Sequence, residues 1–162
     1  MKKALALWLA LLLVFLAAGF TLAAGDVQAV AVDVAGITFN IPAAWEVDSE
    51  YDEDEDAFIV YGRNEDESQF MVLMVYEVGD ESLETFIEEL RTSDELNNVN
   101  QSKVGDLAFV LYDYKDQSNL GAFTITPDGF LLLFEFGIAT DSQISSIAEQ
   151  TLLSIAPISG SR

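Results

Sequence analysis

Two stretches of this chain are apolar on both sides of an extended backbone. Over residues 69–78, Phe70, Val72, Met74, Tyr76 and Val78 alternate with Met71, Leu73 and Val75. Over residues 130–138, Phe130, Leu132, Phe134, Phe136 and Ile138 alternate with Leu131 and Leu133. Side chains of a strand point alternately to opposite faces, so such a strand has no side that water can solvate. Both stretches therefore predict central strands that need cover on each face, which favours a sheet between helical layers over a sheet with one wet face.

Helical periodicity supplies the cover. Leu83, Phe86, Ile87 and Leu90 fall at i, i+3, i+4 and i+7 behind Asp80 and Ser82, either of which suits an N-cap, and Glu84, Glu88 and Glu89 then face solvent. Further on, Thr140 and Gln143 have capping-box spacing ahead of a stripe of Ile144, Ile147, Ala148, Thr151, Leu152 and Ile155, with Pro157 as the stop. Ile37, Phe39 and Ile41 alternate with Thr38 and Asn40 up to Pro42, a short strand with one apolar face. Residues 57–61 read as another strand. Residues 48–56 are acidic except for Ser49 and Tyr51, and predict a solvated loop. Gly105-Asp106 separates strands at 102–104 and 107–114, and Pro127-Asp128-Gly129 separates strands at 120–126 and 130–138. The expected order is three strands, a helix, three or four strands and a helix, with no internal repeat. The class is α+β with an antiparallel sheet.

The N-terminus bounds the location. Lys2 and Lys3 precede an apolar run over residues 4–24, followed by small residues, which is the pattern of an export signal. Roughly 7–15 apolar residues make a signal core, while about 20 span a bilayer, so a cleaved signal and a retained anchor are the two readings. Small residues at the minus-three and minus-one positions occur at Thr21/Ala23 and, better, at Val27/Ala29. We therefore expect residues 1–29 as signal peptide or uncleaved anchor, and residues 30–162 as a single domain that is secreted or otherwise extracytoplasmic. Any membrane contact would run through the N-terminal segment. The chain has no cysteine, so it carries neither the lipid of a bacterial lipoprotein nor a disulfide framework, and its core must suffice alone.

Charge bounds the partners. The chain holds 28 Asp and Glu against 7 Lys and Arg, and a surface of that sign repels phosphate backbones and anionic lipids, which excludes nucleic acid as a partner. Cations and basic proteins stay admissible. Much of the negative charge also serves simply to keep an exported protein soluble.

Reactive constellations are missing. With no His and no Cys, serine and cysteine nucleophile pairs, histidine bases and the usual zinc sites are all excluded. No dinucleotide-binding glycine motif, phosphate-binding glycine loop or Ser-x-x-Lys sequence occurs. Carboxylates remain, and Glu77 and Glu135, set on apolar strands, are the ones whose burial would make a proton donor near neutrality, as a carboxylate-dependent hydrolase requires. Asp52, Asp54 and Asp56 repeat at the spacing with which a calcium loop begins. An EF-hand started at Asp52 would place Ala57 at the glycine position and Arg63 at the bidentate glutamate, so the tract is not an EF-hand. What remains is a loose calcium site made with Asp48, Glu50 or Glu53, against a merely hydrated loop. Trp45, Tyr61, Tyr76, Tyr112 and Tyr114 either line a groove or pack across strands, and packing is the usual use of rings on strands. Asn100-Gln101-Ser102 matches a glycosylation sequon that arises often by chance.

The element order, together with Gly36-Ile37-Thr38-Phe39-Asn40-Ile41-Pro42-Ala43-Ala44-Trp45 at the start and a final amphipathic helix through residues 147–155, resembles the PsbP/Mog1-like superfamily, in particular its small exported bacterial members. The resemblance covers nearly all of the chain after the leader. It implies an antiparallel sheet sandwiched between α-helices, no catalytic residues, no cofactor, and an accessory, binding or assembly role with a protein partner. The absent lipid-bearing cysteine departs from the lipoprotein members. The expected function is thus a non-catalytic exported binding or accessory protein. The alternatives are a carboxylate-dependent extracellular hydrolase and a membrane-tethered structural subunit.

Overall fold

A computed structural model describes residues 26–104, 107–138 and 140–158. Its strands are β1 (Val27–Val32), β2 (Ile37–Pro42), β3 (Glu46–Asp52), β4 (Ala57–Arg63), β5 (Phe70–Glu77), β6 (Leu96–Val104), β7 (Leu107–Tyr114), β8 (Asn119–Ile125), β9 (Phe130–Gly137) and β10 (Ala156–Pro157). The helices are α1 (Leu83–Thr92) and α2 (Ser142–Leu153), with a single 3-10 turn at Asp33–Ala35. The large sheet runs β3-β4-β5-β9-β8-β7-β6 and a small one β1-β2-β10, and every paired neighbour is antiparallel. The two strands with apolar residues on both faces, β5 and β9, lie side by side near the middle of the large sheet, in register from Phe70 opposite Gly137 to Glu77 opposite Phe130.

One face of the large sheet is sealed. Met71, Leu73, Leu132, Phe134 and Phe136 meet Phe39 and Ile41 of β2 and Ile144, Ala148 and Leu152 of α2 in one buried cluster. Phe39 packs edge-on to Phe134 at 5.7 Å, and Phe134 stacks on Phe136 at 6.0 Å. Burying each such ring contributes about 1.5–3 kcal/mol over leaving it exposed. Trp45, which follows the Pro42 turn, is buried here and lies over Gly62.

The opposite face is covered only in part. Helix α1 sets Leu83, Phe86, Ile87 and Leu90 over Val110, Tyr112, Phe123 and Leu131, on the β7, β8 and β9 side. Phe86 meets Phe123 edge-on at 6.3 Å. The antiparallel sheet and its few helices are thus as expected, but among the described residues this face carries a helix over one half only.

Several expectations need correction. The acidic tract is not a loop throughout: Glu46–Asp52 is β3, paired residue for residue with β4 from Glu46 opposite Arg63 to Asp52 opposite Ala57. An edge strand needs only one partner for its backbone, so its charged side chains reach water and discourage further strands from joining. Only the stretch 53–56 turns, closed by Asp56 at φ 52°. Strand β6 begins at Leu96 rather than at residue 102, with a register shift between Asn97 and Asn100. The cap of α2 is Asp141, not Thr140, because its carboxylate accepts from Gln143 N and also from Gln69 Nε2. This helix ends at Leu153, and Pro157 lies beyond it in a strand that pairs with Ile37. Ser82 holds the N-cap position of α1, but its hydroxyl lies against that of Thr85 instead of capping the backbone.

Of the expected leader, residues 1–25 lie outside the described residues, as does the Gly105-Asp106 turn. Val27, Gln28 and Ala29 belong to β1, and Gln28 Nε2 donates to Pro42 O and Trp45 O at 3.3 and 2.6 Å. The folded unit therefore takes in residues that a boundary at 30 leaves out.

Candidate functional site

The half of the sheet left bare by α1 is the most distinctive surface of the molecule. Directly opposed residues of antiparallel strands share a face, so the registers place Asp48, Glu50 and Asp52 of β3, Tyr61 and Ile59 of β4, Val72, Met74 and Tyr76 of β5, and Glu135 and Leu133 of β9 on one side. Tyr61 is exposed to 37%, while Val72, Met74, Tyr76, Leu133 and Glu135 are half-buried. Tyr61, Val72 and Met74 belong to neither buried cluster. At one end Phe70 lies against Gly137, where a Cβ would sit 2.3 Å from its ring.

Carboxylates surround this apolar strip. Burial, then the charge and hydrogen bonding of Glu50, raise the Tyr61 phenol above its ordinary range. Burial does the same for Tyr76, helped by Glu55, Asp52 and Glu135. Arg63, at the end of β4, is a cation on the same side, and it pairs with Glu67 at 3.1 Å.

Glu135 is the inner member of a polar group. Tyr114 Oη donates to Glu135 Oε1 at 2.5 Å, and Asn119 Nδ2 donates to Oε2 at 3.4 Å. Tyr112, buried, meets Tyr114 edge-on at 5.9 Å. Burial, with the neighbouring charge of Glu135, drives both phenols strongly upward. Glu135 is thus a carboxylate held by neutral donors, and Glu77 is exposed at the end of β5. Sequence patterning singled out both, but the structure brings neither to a cleft. Two surface depressions, one lined by Gln101, Ser102, Lys103 and Ala108 and one by residues that include Asn40, Gln150 and Thr151, have no carboxylate in their walls.

The calcium candidates Asp52, Asp54 and Asp56 all fall at the β3–β4 hairpin, where local bonds engage two of them. Asp52 Oδ1 accepts from Asp54 N at 2.9 Å and Glu55 N at 3.2 Å, and Asp56 Oδ1 accepts from Tyr51 Oη. Among the described residues no three acids converge as a metal-holding group. The aromatic candidates divide. Trp45 and Tyr112 are core, Tyr114 packs beside Tyr112, Tyr61 stands on the bare face, and Tyr76 lies at its margin, packed against the α1 cluster. The bare face itself escaped sequence reasoning, since apolar alternation on β5 reports which residues need cover and not whether the chain supplies it.

No family model matches the chain, and no curated protein sequence matches it. Among solved structures it is similar to the solution structure of cyanobacterial PsbP (CyanoP) from Synechocystis sp. PCC 6803, with a TM-score of 0.61 at 15% identity, over 86% of this chain and 97% of that one. The chain has a PsbP-like fold.

Proposed function

We propose that this chain is an exported, non-catalytic accessory protein that holds a protein partner outside the cytoplasm. The observation that carries the reading is the ordered acidic edge: β3 presents Asp48, Glu50 and Asp52 from a strand fixed in register, so the negative charge forms a defined surface and not a loose tail. Such a surface steers and orients a basic partner and turns away polyanions. The resemblance to a superfamily of accessory proteins, now joined by a shared fold, supports the same role. Among the described residues no helix is long and apolar enough to cross a membrane. Calcium is no part of this role.

Crosslinking capture from the extracytoplasmic fraction, run at about 0.05 and 0.5 M salt, tests it, because screening weakens contacts between exposed charges over this range. A partner retained at low salt and released at high salt is the expected result. Capture that ignores salt, or turnover of polysaccharide or peptide by the purified chain, would refute the proposal.

A further inference from the structure

We propose that the bare half of the large sheet, centred on Tyr61, Val72 and Met74, docks an amphipathic helix of a partner protein, with lysine or arginine flanking the helix's apolar stripe. The inference rests on the binding role above and adds its place and its chemistry.

Width comes first. Strands β4, β5 and β9 are consecutive neighbours, which at about 4.8 Å per strand puts about 10 Å between β4 and the β9 margin where the α1 cluster ends. A helix with its side chains is about 10–12 Å in diameter. One helix therefore fills the strip, lying beside α1 and completing the layer that α1 begins. The two described helices are committed elsewhere, α2 to the opposite face and α1 to the β7, β8 and β9 side, where its cluster ends at Leu133 and Tyr76. A contiguous apolar strip within a polar rim is the usual mark of an interaction surface.

Charge decides which helix. The rim is Asp48, Glu50 and Asp52 along β3, Glu55 in the hairpin and Glu135 within the strip, with Arg63 alone at one end. A helix with acidic flanks would be repelled, and a second copy of a chain with formal charge −21 would bring like charge to like. A helix with basic flanks meets complementary charge on the β3 side and through Glu135, while its apolar stripe covers Val72, Met74 and Leu133. This is recognition of a helix by an apolar surface.

The test titrates the full chain, followed by amide and methyl NMR, with three synthetic helices. The first alternates a leucine stripe with lysine flanks, the second has serine in place of leucine, and the third has glutamate in place of lysine. Saturable shifts at Tyr61, Val72, Met74, Tyr76 and Leu133 with the first peptide alone are expected, and Met74→Asp should weaken its binding at least tenfold. Glu50→Lys with Asp52→Lys, placed at the exposed edge away from the core, should weaken it several-fold, so the proposal stays exposed even where Met74→Asp disturbs the fold. Shifts on another face, equal binding of the serine or glutamate peptides, or seating of residues 1–25 on the strip would overturn it. If Met74→Asp still captures a salt-sensitive partner, the docking site is wrong and the binding role stands. If no salt-sensitive partner is captured by the unaltered chain, the role itself falls.

Discussion

Gly121 of β8 lies directly opposite Tyr112 of β7, and a Cβ built on it would sit 2.1, 2.1 and 2.6 Å from three atoms of the Tyr112 ring. Carbon atoms in contact prefer about 3.5–4.0 Å, so Gly121→Ala forces the ring to withdraw by about 1.5 Å. The ring is 4% exposed and holds an edge contact with Tyr114 at 5.9 Å and a tilted one with Phe123 at 6.4 Å, so it has little room to move. Overpacking of this kind costs about 1–3 kcal/mol, and loosening an aromatic pair adds about 0.5–1.5 kcal/mol. We expect a loss of about 2–3 kcal/mol in urea unfolding, or about 7–11 °C in Tm for a domain of this size. The sign is informative, since Gly→Ala at an unstrained position normally stabilises by about 0.4–1 kcal/mol through the unfolded chain. On a Tyr112→Leu background, which removes the distal ring atoms, the same substitution should be neutral or stabilising. An equal loss on both backgrounds would refute the argument that the ring, laid over the glycine as a cross-strand cover, sets the cost.

Four more outcomes follow from the geometry. Gln28→Ala removes the donations to Pro42 and Trp45 and should cost about 1–2 kcal/mol in urea unfolding; intact mass of any form recovered outside the cytoplasm should place its first residue at or before Asp26. Asp141 is held below its ordinary range first by Gln69 and then by the Gln143 N–H, so its contribution is present above the unfolded value of about 3.9 and is lost as pH falls through the lower folded value. Asp141→Asn should therefore flatten the fall of the urea midpoint between pH 5 and pH 2, and an unchanged slope would show that the cap does not couple to folding. Calorimetry with millimolar calcium should give no saturable heat, whereas saturable heat abolished by Asp52→Asn would establish a cation site at the β3–β4 hairpin.

What the sequence made legible was whatever hydrophobic periodicity encodes. Strands β5 and β9, the stripes of α1 and α2 and the Pro127-Asp128-Gly129 turn, with Gly129 at φ 82°, stand close to where residue spacing puts them. Strands held by backbone pairing alone were not legible. In β3 nearly every side chain is exposed, so its composition reads as loop. In β6 the polar stretch before residue 102 hides a strand in the same way. Strand β1 was lost for another reason: its small residues also satisfy a signal-cleavage pattern, and local sequence does not say which use applies. Pro157 misled because a proline halts a helix and also suits a sheet edge, where its missing N–H is not needed. The candidate site was half legible. Its acids and rings were named, but their assembly across four strands depends on registers that only the folded sheet defines.

Strand β2 is flanked by β1 from the early part of the described chain and by β10 from its last part, with Ile158 N donating to Gly36 O at 2.8 Å to fasten the seam. The long sheet can thus zip up on its own strands while this three-ply patch stays unsewn until residues 156–158 reach it. Without β10 that margin of β2 would lie raw, an open selvage on which another extended strand could be laid.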